Sequence, residues 1–424
     1  MKKLFTTIAA FIIALGAMAE TTETQDVNDG KDLNYWAKAV ASRVKVSGYA
    51  QAGYTATLPE EGEKKNTFDM KRVVLMVGAE ITPEFYAFFM HEFKLKDMQE
   101  YYLEYRPSKA FKLRFGQSKI EYTMENPMSP CVLESIGPMA QGVFWLCGYD
   151  PLIGNPAGRD MGLMVYGDVF NDKLRYMLEV VNGGQTNAAD RDNRKNVIGK
   201  LEFKPVPNLR LSVSGQLGYG TAVADSKYNL TVKEGDIYRQ NRYAAGAEWK
   251  SKATGNDFHK NRCTMVRTEV LGGKDGGCKS FGAYVSSTIP LYKGLDLVWM
   301  ADYMNYNTDA GLKKTNLMTG VQYWIFKKCR LQAQYTYSMR SDAMKALEGS
   351  NQSIIQTQIQ VAFSSKPRGT EIQSFLFKHK ETKEQRLFLD TKIRNYVYKD
   401  IIDNYLPLRN SGSGSIFKKT GQVC

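Results

Sequence analysis

The sequence predicts an all-β fold: a 16-stranded antiparallel transmembrane β-barrel with one long external loop folded into the pore and a C-terminal tail outside the barrel. Three observations predict it. Segment after segment, most of them 10–13 residues long, alternates apolar with polar residues, which is the period of a strand with one greasy and one wet face. Tight turns alternate with longer polar loops, as expected when strand ends emerge on two different sides of a membrane. After the N-terminus no run of about eighteen apolar residues occurs, so no spanning helix competes with this reading.

The elements follow in order. Lys2 and Lys3, the apolar run FTTIAAFIIALG and the small residues Ala17-Met18-Ala19 form a secretory signal over residues 1–19. A lone membrane anchor is the rival reading, and the apolar run is short for it. Residues 20–42 are expected to be a periplasmic segment. The alternating strands then run 43–54, 68–82, 85–95, 98–106 and 111–119. After a long break they resume at 160–170, 173–183, 195–205, 209–220, 241–251, 264–273, 280–289, 295–306, 315–326, 330–339 and 353–363. In the last, IIQTQIQVAF, the Ile, Val and Phe side chains point one way and the glutamines the other. A soluble two-sheet sandwich would also alternate, but sixteen long strands with such regular turn asymmetry exceed one sandwich.

Barrels of this kind commonly end on an aromatic residue, and Phe363 takes that place. Residues 364–424 lose the period and are read as an appendage or an added tail outside the barrel. Net charge is +13, yet the tail carries twelve Lys/Arg against six Asp/Glu and the signal adds two lysines, leaving a modest +5 for residues 20–363. The basic balance is therefore no nucleic-acid signal.

The segment FKLRFGQSK (111–119), the 39-residue break that follows it, and GRDMGLMVYGD (158–168) together resemble the phosphate-selective porin O and P family. RTEVLGGKDGG (267–277) and LDLVWMADYMNYN (295–307) are similar to later strands of that family. The resemblance implies a bacterial outer-membrane porin: a homotrimer whose third external loop narrows a channel for small hydrophilic solutes or inorganic anions, embedded in outer-membrane lipid. It implies no cofactor, metal or nucleic acid.

Selectivity in such channels comes from charges ringing the narrowest point. Parity places Arg72, Arg106, Lys112, Arg114, Arg175 and Arg267 on the lumen wall, and Lys119 and Arg159, at the two ends of the long break, are counted with this basic patch. The loop at 120–158 has no Lys or Arg and instead carries Glu121, Glu125, Glu134 and Asp150. A basic wall facing an acidic loop would set up a transverse field, which favours a general diffusion pore over a phosphate channel. The plainer reading of any one of these charges is an ion pair hydrating the wall. Cys131 and Cys147 share the long loop and can pair in an oxidising compartment. The other cysteines are scattered without metal-ligand spacing.

A hydrolase needs a His beside a nucleophile, and His91, His259 and His379 have no such setting. GGKDGGCKS (272–280) misses phosphate-loop spacing and is read as a hairpin loop. A non-conducting structural barrel remains the third alternative.

Overall fold

In hydrocarbon every strand N–H and C=O must find a partner within the protein, so a sheet that crosses a membrane has to close on itself. The computed structural model, which describes residues 43–137, 139–148, 152, 158–252, 262–326 and 328–365, is such a sheet. Its strands are β1 Val44–Pro59, β2 Lys65–Glu80, β3 Phe85–Glu92, β4 Asp97–Tyr105, β5 Lys112–Lys119, β6 Arg159–Val169, β7 Leu174–Val181 and β8 Asn196–Val206. They continue with β9 Leu209–Thr221, β10 Ile237–Lys250, β11 Met265–Asp275, β12 Cys278–Tyr292, β13 Leu295–Asn305, β14 Lys313–Phe326, β15 Cys329–Arg340 and β16 Gln352–Ser364. Each strand pairs antiparallel with the next, and β16 pairs with β1 to close the ring. The signal, the segment 20–42, the tail from 366 and Asp150 lie outside the described residues.

The expected strands match these closely, with two instructive differences. The GGKDGGCKS stretch is mostly strand: β11 and β12 run through it, and only Gly276 and Gly277 turn. Gly276 has φ +61°, a conformation open to glycine at no steric cost. The polar connection 341–351 contains a short helix, α2 (Asp342–Glu348), capped by the Ser341 side chain. A first helical turn, α1 (Gln141–Val143), lies in the long loop and runs into a π-turn at Phe144–Gly148.

Alternation sorts the two faces of the wall. Along β16, Ile355, Ile359, Val361 and Phe363 are exposed while Gln358 and Gln360 are buried. Leu163, Leu178, Leu201, Val213 and Leu331 join the exposed apolar belt around the outside, the surface expected of strands that face lipid. The seam depends on a close approach. Gly48 sits opposite Phe363, and a Cβ at Gly48 would lie 2.8 Å from that ring. Phe363 thus packs over the closing pair, and β16 runs one residue beyond it.

Leu201 stands midway along β8 on the lipid face. Leu201→Arg should cost about 2–4 kcal/mol of barrel stability, whereas Val206→Arg at the strand end should cost about 1 kcal/mol or less. Urea unfolding of the barrel folded into vesicles measures both; equal costs would mean that β8 does not cross at the assigned depth.

Candidate functional site

The 39-residue loop between β5 and β6 folds into the lumen. Its apolar residues give the reason. Ile120, Tyr122, Val143, Trp145 and Leu146 are buried in one cluster with Leu271, Tyr284, Val298, Met300, Met304 and Met318, all from the inner face of β11–β14. Burying a side chain of this size is worth about 1.5–3 kcal/mol, so this half of the barrel holds the loop as a core would.

Polar contacts fix the loop's height and register. The Tyr122 hydroxyl donates to the Tyr243 carbonyl at 2.7 Å. The Met124 and Gln141 amides donate to Glu269 and Asp302 at 2.8 and 2.9 Å, and the Glu121 amide donates to Glu179 at 2.7 Å. On the other side Arg330 donates to the Leu133 carbonyl at 2.8 Å, and Gln334 to the Glu134 carbonyl at 2.6 Å. Lys119 donates to the Asn126 carbonyl at 2.8 Å. The loop is thereby tied to β5, β7, β10, β11, β13 and β15.

These ties reorder the expected charges. Arg267 is fully buried beneath the loop and lines no passage. Its guanidinium lies 3.1 Å from Glu134, 3.0 Å from Glu248 and 3.7 Å from Glu125. Glu125 also accepts from the Ala140 amide at 2.8 Å, and Glu121 faces Lys200 at 3.4 Å. The expected transverse field is therefore absent. The described loop carboxylates turn toward the β8–β11 wall and share Arg267 and Lys200 there, because buried charge is tolerated only when paired.

The opposite side keeps an open crevice of about 190 Å³ between the loop and β1–β6. Its wall carries Lys71, Arg72, Lys94, Lys119 and Arg159, and its loop side carries Met128, Pro130, Leu133 and Ile136. Glu92 is the sole carboxylate among the described lining residues, and it accepts from the Val73 and Lys94 amides. Lys94 pairs with Asp69 and Arg159 with Glu100. Lys71, Arg72 and Lys119 are in ion-pair contact with no carboxylate among the described residues; Arg72 donates to Gln51 at 3.0 Å.

Parity missed Lys71. Gln51 pairs with Arg72 and Ala52 with Met70, so Lys71 is an extra, bulged residue, and a bulge shifts side-chain facing. The apolar bed beneath the loop was also missed, although its signal is present. In β13, Val298, Met300 and Met304 share the inward face with Asp296 and Asp302, and apolar residues on a wet face mark something packed against them.

The remaining predicted cations form a separate, paired belt nearer the turns opposite the loop. Arg114 lies 2.9 Å from Glu104, Lys112 is 3.4 Å and Arg175 3.8 Å from Asp168, and Arg106 is 3.2 Å from Glu80. Arg114 also stacks over Tyr102 at 4.2 Å. Gly116 lets β5 deliver Lys119 to the crevice: its φ is +139°, and a Cβ there would lie 2.4 Å from the Tyr101 carbonyl oxygen.

Cys131 and Cys147 are free thiols, not a disulfide. Cys131 packs with Tyr49, Val74 and Met90, while Cys147 belongs to the β11–β14 cluster with Tyr122. The loop's span across the lumen sends the two to different walls. Burial pushes the Cys131 thiol up to about 11 and raises that of Cys147 further. His91 rests edge-on against Phe93 at 4.8 Å; His259 and His379 lie outside the described residues.

This architecture, a closed sixteen-stranded barrel with an apolar belt and a loop inside, is that of the outer-membrane porins and channels. Similar solved structures include an anion-selective porin from Comamonas acidovorans (TM-score 0.55, 13% identity, covering 76% of this chain and 99% of that one). OmpF of Salmonella typhi in complex with daunomycin (0.53, 11%, 76% and 98%) and the outer membrane channel DcaP of Acinetobacter baumannii (0.53, 11%, 76% and 97%) share the same fold. No protein-family model and no curated sequence matches the chain.

Two predictions follow from the buried cluster. Arg267→Ala strands the loop carboxylates Glu125 and Glu134 without their cation, while Glu248 keeps Arg210, and should weaken seating of the loop by roughly 3–5 kcal/mol, read as larger single-channel conductance and a lower Tm. Burial lifts the Glu125 carboxyl to about 7 against the opposing pull of Arg267. A raised carboxyl pKa stabilises the seated loop below the ordinary carboxylate range, and that contribution is lost as pH rises through about 7. Open-state fluctuations should therefore increase as pH rises from the ordinary carboxylate range through about 7 in the natural protein, and Glu125→Gln should flatten the profile.

Proposed function

We propose that this protein is a passive diffusion channel of the bacterial outer membrane, with a preference for small anions that enter the crevice beside the loop. The observation that carries this reading is the asymmetry of charge. The loop carboxylates are held against Arg267 and Lys200, while Lys71, Arg72 and Lys119 border the crevice without carboxylate partners among the described residues. Fixed cations at a narrow point raise the local anion concentration and repel cations.

This favours the anion-selective reading over an unselective pore. The resemblance of FKLRFGQSK and GRDMGLMVYGD to the phosphate-selective family points the same way, as does the anion-selective porin from Comamonas acidovorans among the structural neighbours. Phosphate needs no special place in the account. The Met128, Pro130 and Ile136 flank also suits carboxylates with an apolar side. A homotrimer is the expected assembly, in line with the trimer form described for OmpT of Vibrio cholerae. The belt at Arg106, Lys112, Arg114 and Arg175, paired with Glu80, Glu104 and Asp168, serves as a hydrated vestibule.

Planar-bilayer recordings in a salt gradient test the proposal. The reversal potential should show chloride permeating better than potassium, and Arg72→Glu combined with Lys119→Gln should abolish or invert that preference. Phosphate and benzoate, added in turn, should both reduce chloride current. A cation-selective natural channel would refute the charge argument, and a folded barrel without conductance would favour the structural-barrel alternative.

A further inference from the structure

A second charged feature lies outside the barrel, at the external end of β10–β12. The register sets Asn241 directly opposite Lys274, and Lys274 directly opposite Lys279. All three side chains share the outward face, because their alternating neighbours Arg242, Asp275 and Cys278 are buried. Arg239 lies two residues before Asn241 on that same face, opposite Tyr219, and the Arg194 guanidinium covers the Tyr219 ring at 4.4 Å.

Lys274, Lys279 and Arg239 are exposed, and none is in an ion pair among the described residues. Asp275, the carboxylate adjacent to Lys274 in β11, is buried and held by Arg242 at 2.9 Å. Two lysines directly opposite one another repel and weaken the strand pair. At the edge of a low-dielectric slab that repulsion is poorly screened. An anion between them would relieve that repulsion.

This row borders a groove of about 560 Å³ whose lining also holds Leu217, in register with Asn241, and Tyr243 and Phe281, two residues further toward the membrane. These three are 61%, 54% and 39% exposed. Cations above, aromatics at the interface and an apolar trough below match an amphiphile: a negative head with a hydrocarbon tail. A free inorganic anion would satisfy the lysines and leave the trough unused. A second copy of this chain would have to bring carboxylates, yet the same face carries Arg239 and Arg194.

We propose that this face binds one phosphorylated lipid of the external leaflet. Its phosphate sits between Lys274 and Lys279, Arg239 flanks the headgroup, and one acyl chain lies along Leu217, Tyr243 and Phe281. The site is independent of the pore and would bind the same lipid whether or not the channel selects anions.

The test uses the full chain in phosphatidylcholine nanodiscs, with diphosphorylated lipid A, its dephosphorylated counterpart or inorganic phosphate added. Native mass spectrometry reads the lipid retained, and the thermal transition reads its effect. One diphosphorylated lipid should be retained per chain and raise Tm, while the dephosphorylated lipid and inorganic phosphate should not. Lys274→Gln and Lys279→Gln should each weaken retention roughly fivefold, Lys→Arg at both should restore it, and conductance should stay unchanged as the check on folding. Lys345→Gln on α2 serves as the control for surface charge alone. Retention unchanged in the double Gln variant overturns the proposal. So does an equal Tm shift with inorganic phosphate, or a variant that alters only the oligomeric mass, which would assign the face to a second copy.

Discussion

A barrel wall in lipid has no water to satisfy its backbone, and this constraint governs the rest of the structure. It forces β1 onto β16, and the closing pair of Gly48 and Phe363 shows how local the solution is: one residue without a side chain lets one aromatic ring lie flat across the seam. It also fixes every strand's facing, since outward residues must be apolar. The polar residues are then gathered into a lumen too wide to fill with side chains alone, since a ring of sixteen strands encloses space. The long loop fills part of that space.

How the loop is held decides the electrostatics. An apolar cluster against β11–β14 draws it to one side, and hydrogen bonds to Glu269, Asp302, Gln334 and Arg330 set its height. Once seated, its carboxylates have to meet cations, and Arg267 and Lys200 are the ones within reach. The acidic loop becomes electrically quiet, and the basic β1–β6 side keeps its charge. A packing preference thus decides which wall charges stay unpaired.

The two halves of the lumen differ in kind. The β8–β13 half resembles a protein core in which charged groups are buried and paired, so its energetics follow the logic of buried ion networks: removing one partner costs far more than the pair contributes. The β1–β6 half is a hydrated wall where charges act at a distance on whatever passes. Loop seating rests mainly on the first half; on the second, Lys119 is itself a tether, since it donates to the Asn126 carbonyl, whereas Arg72 donates to Gln51 of the wall.

Alternation alone determined the strand count, the strand positions to within a few residues, and the lipid and lumen faces, while the length of the break at 120–158 marked the loop. Period two is a local property of the chain, and a sheet that must be apolar outside leaves it little freedom. Even the lumen-facing charges were legible, with Lys71 lost only because a bulge breaks the period. What the loop carboxylates face, which cations they neutralise, and that Cys131 and Cys147 end on different walls were decided by the tertiary structure. Those relations join residues far apart in the chain, such as Glu134 and Arg267, across a lumen whose occupancy depends on packing, and nothing in the local pattern of either segment encodes the partner.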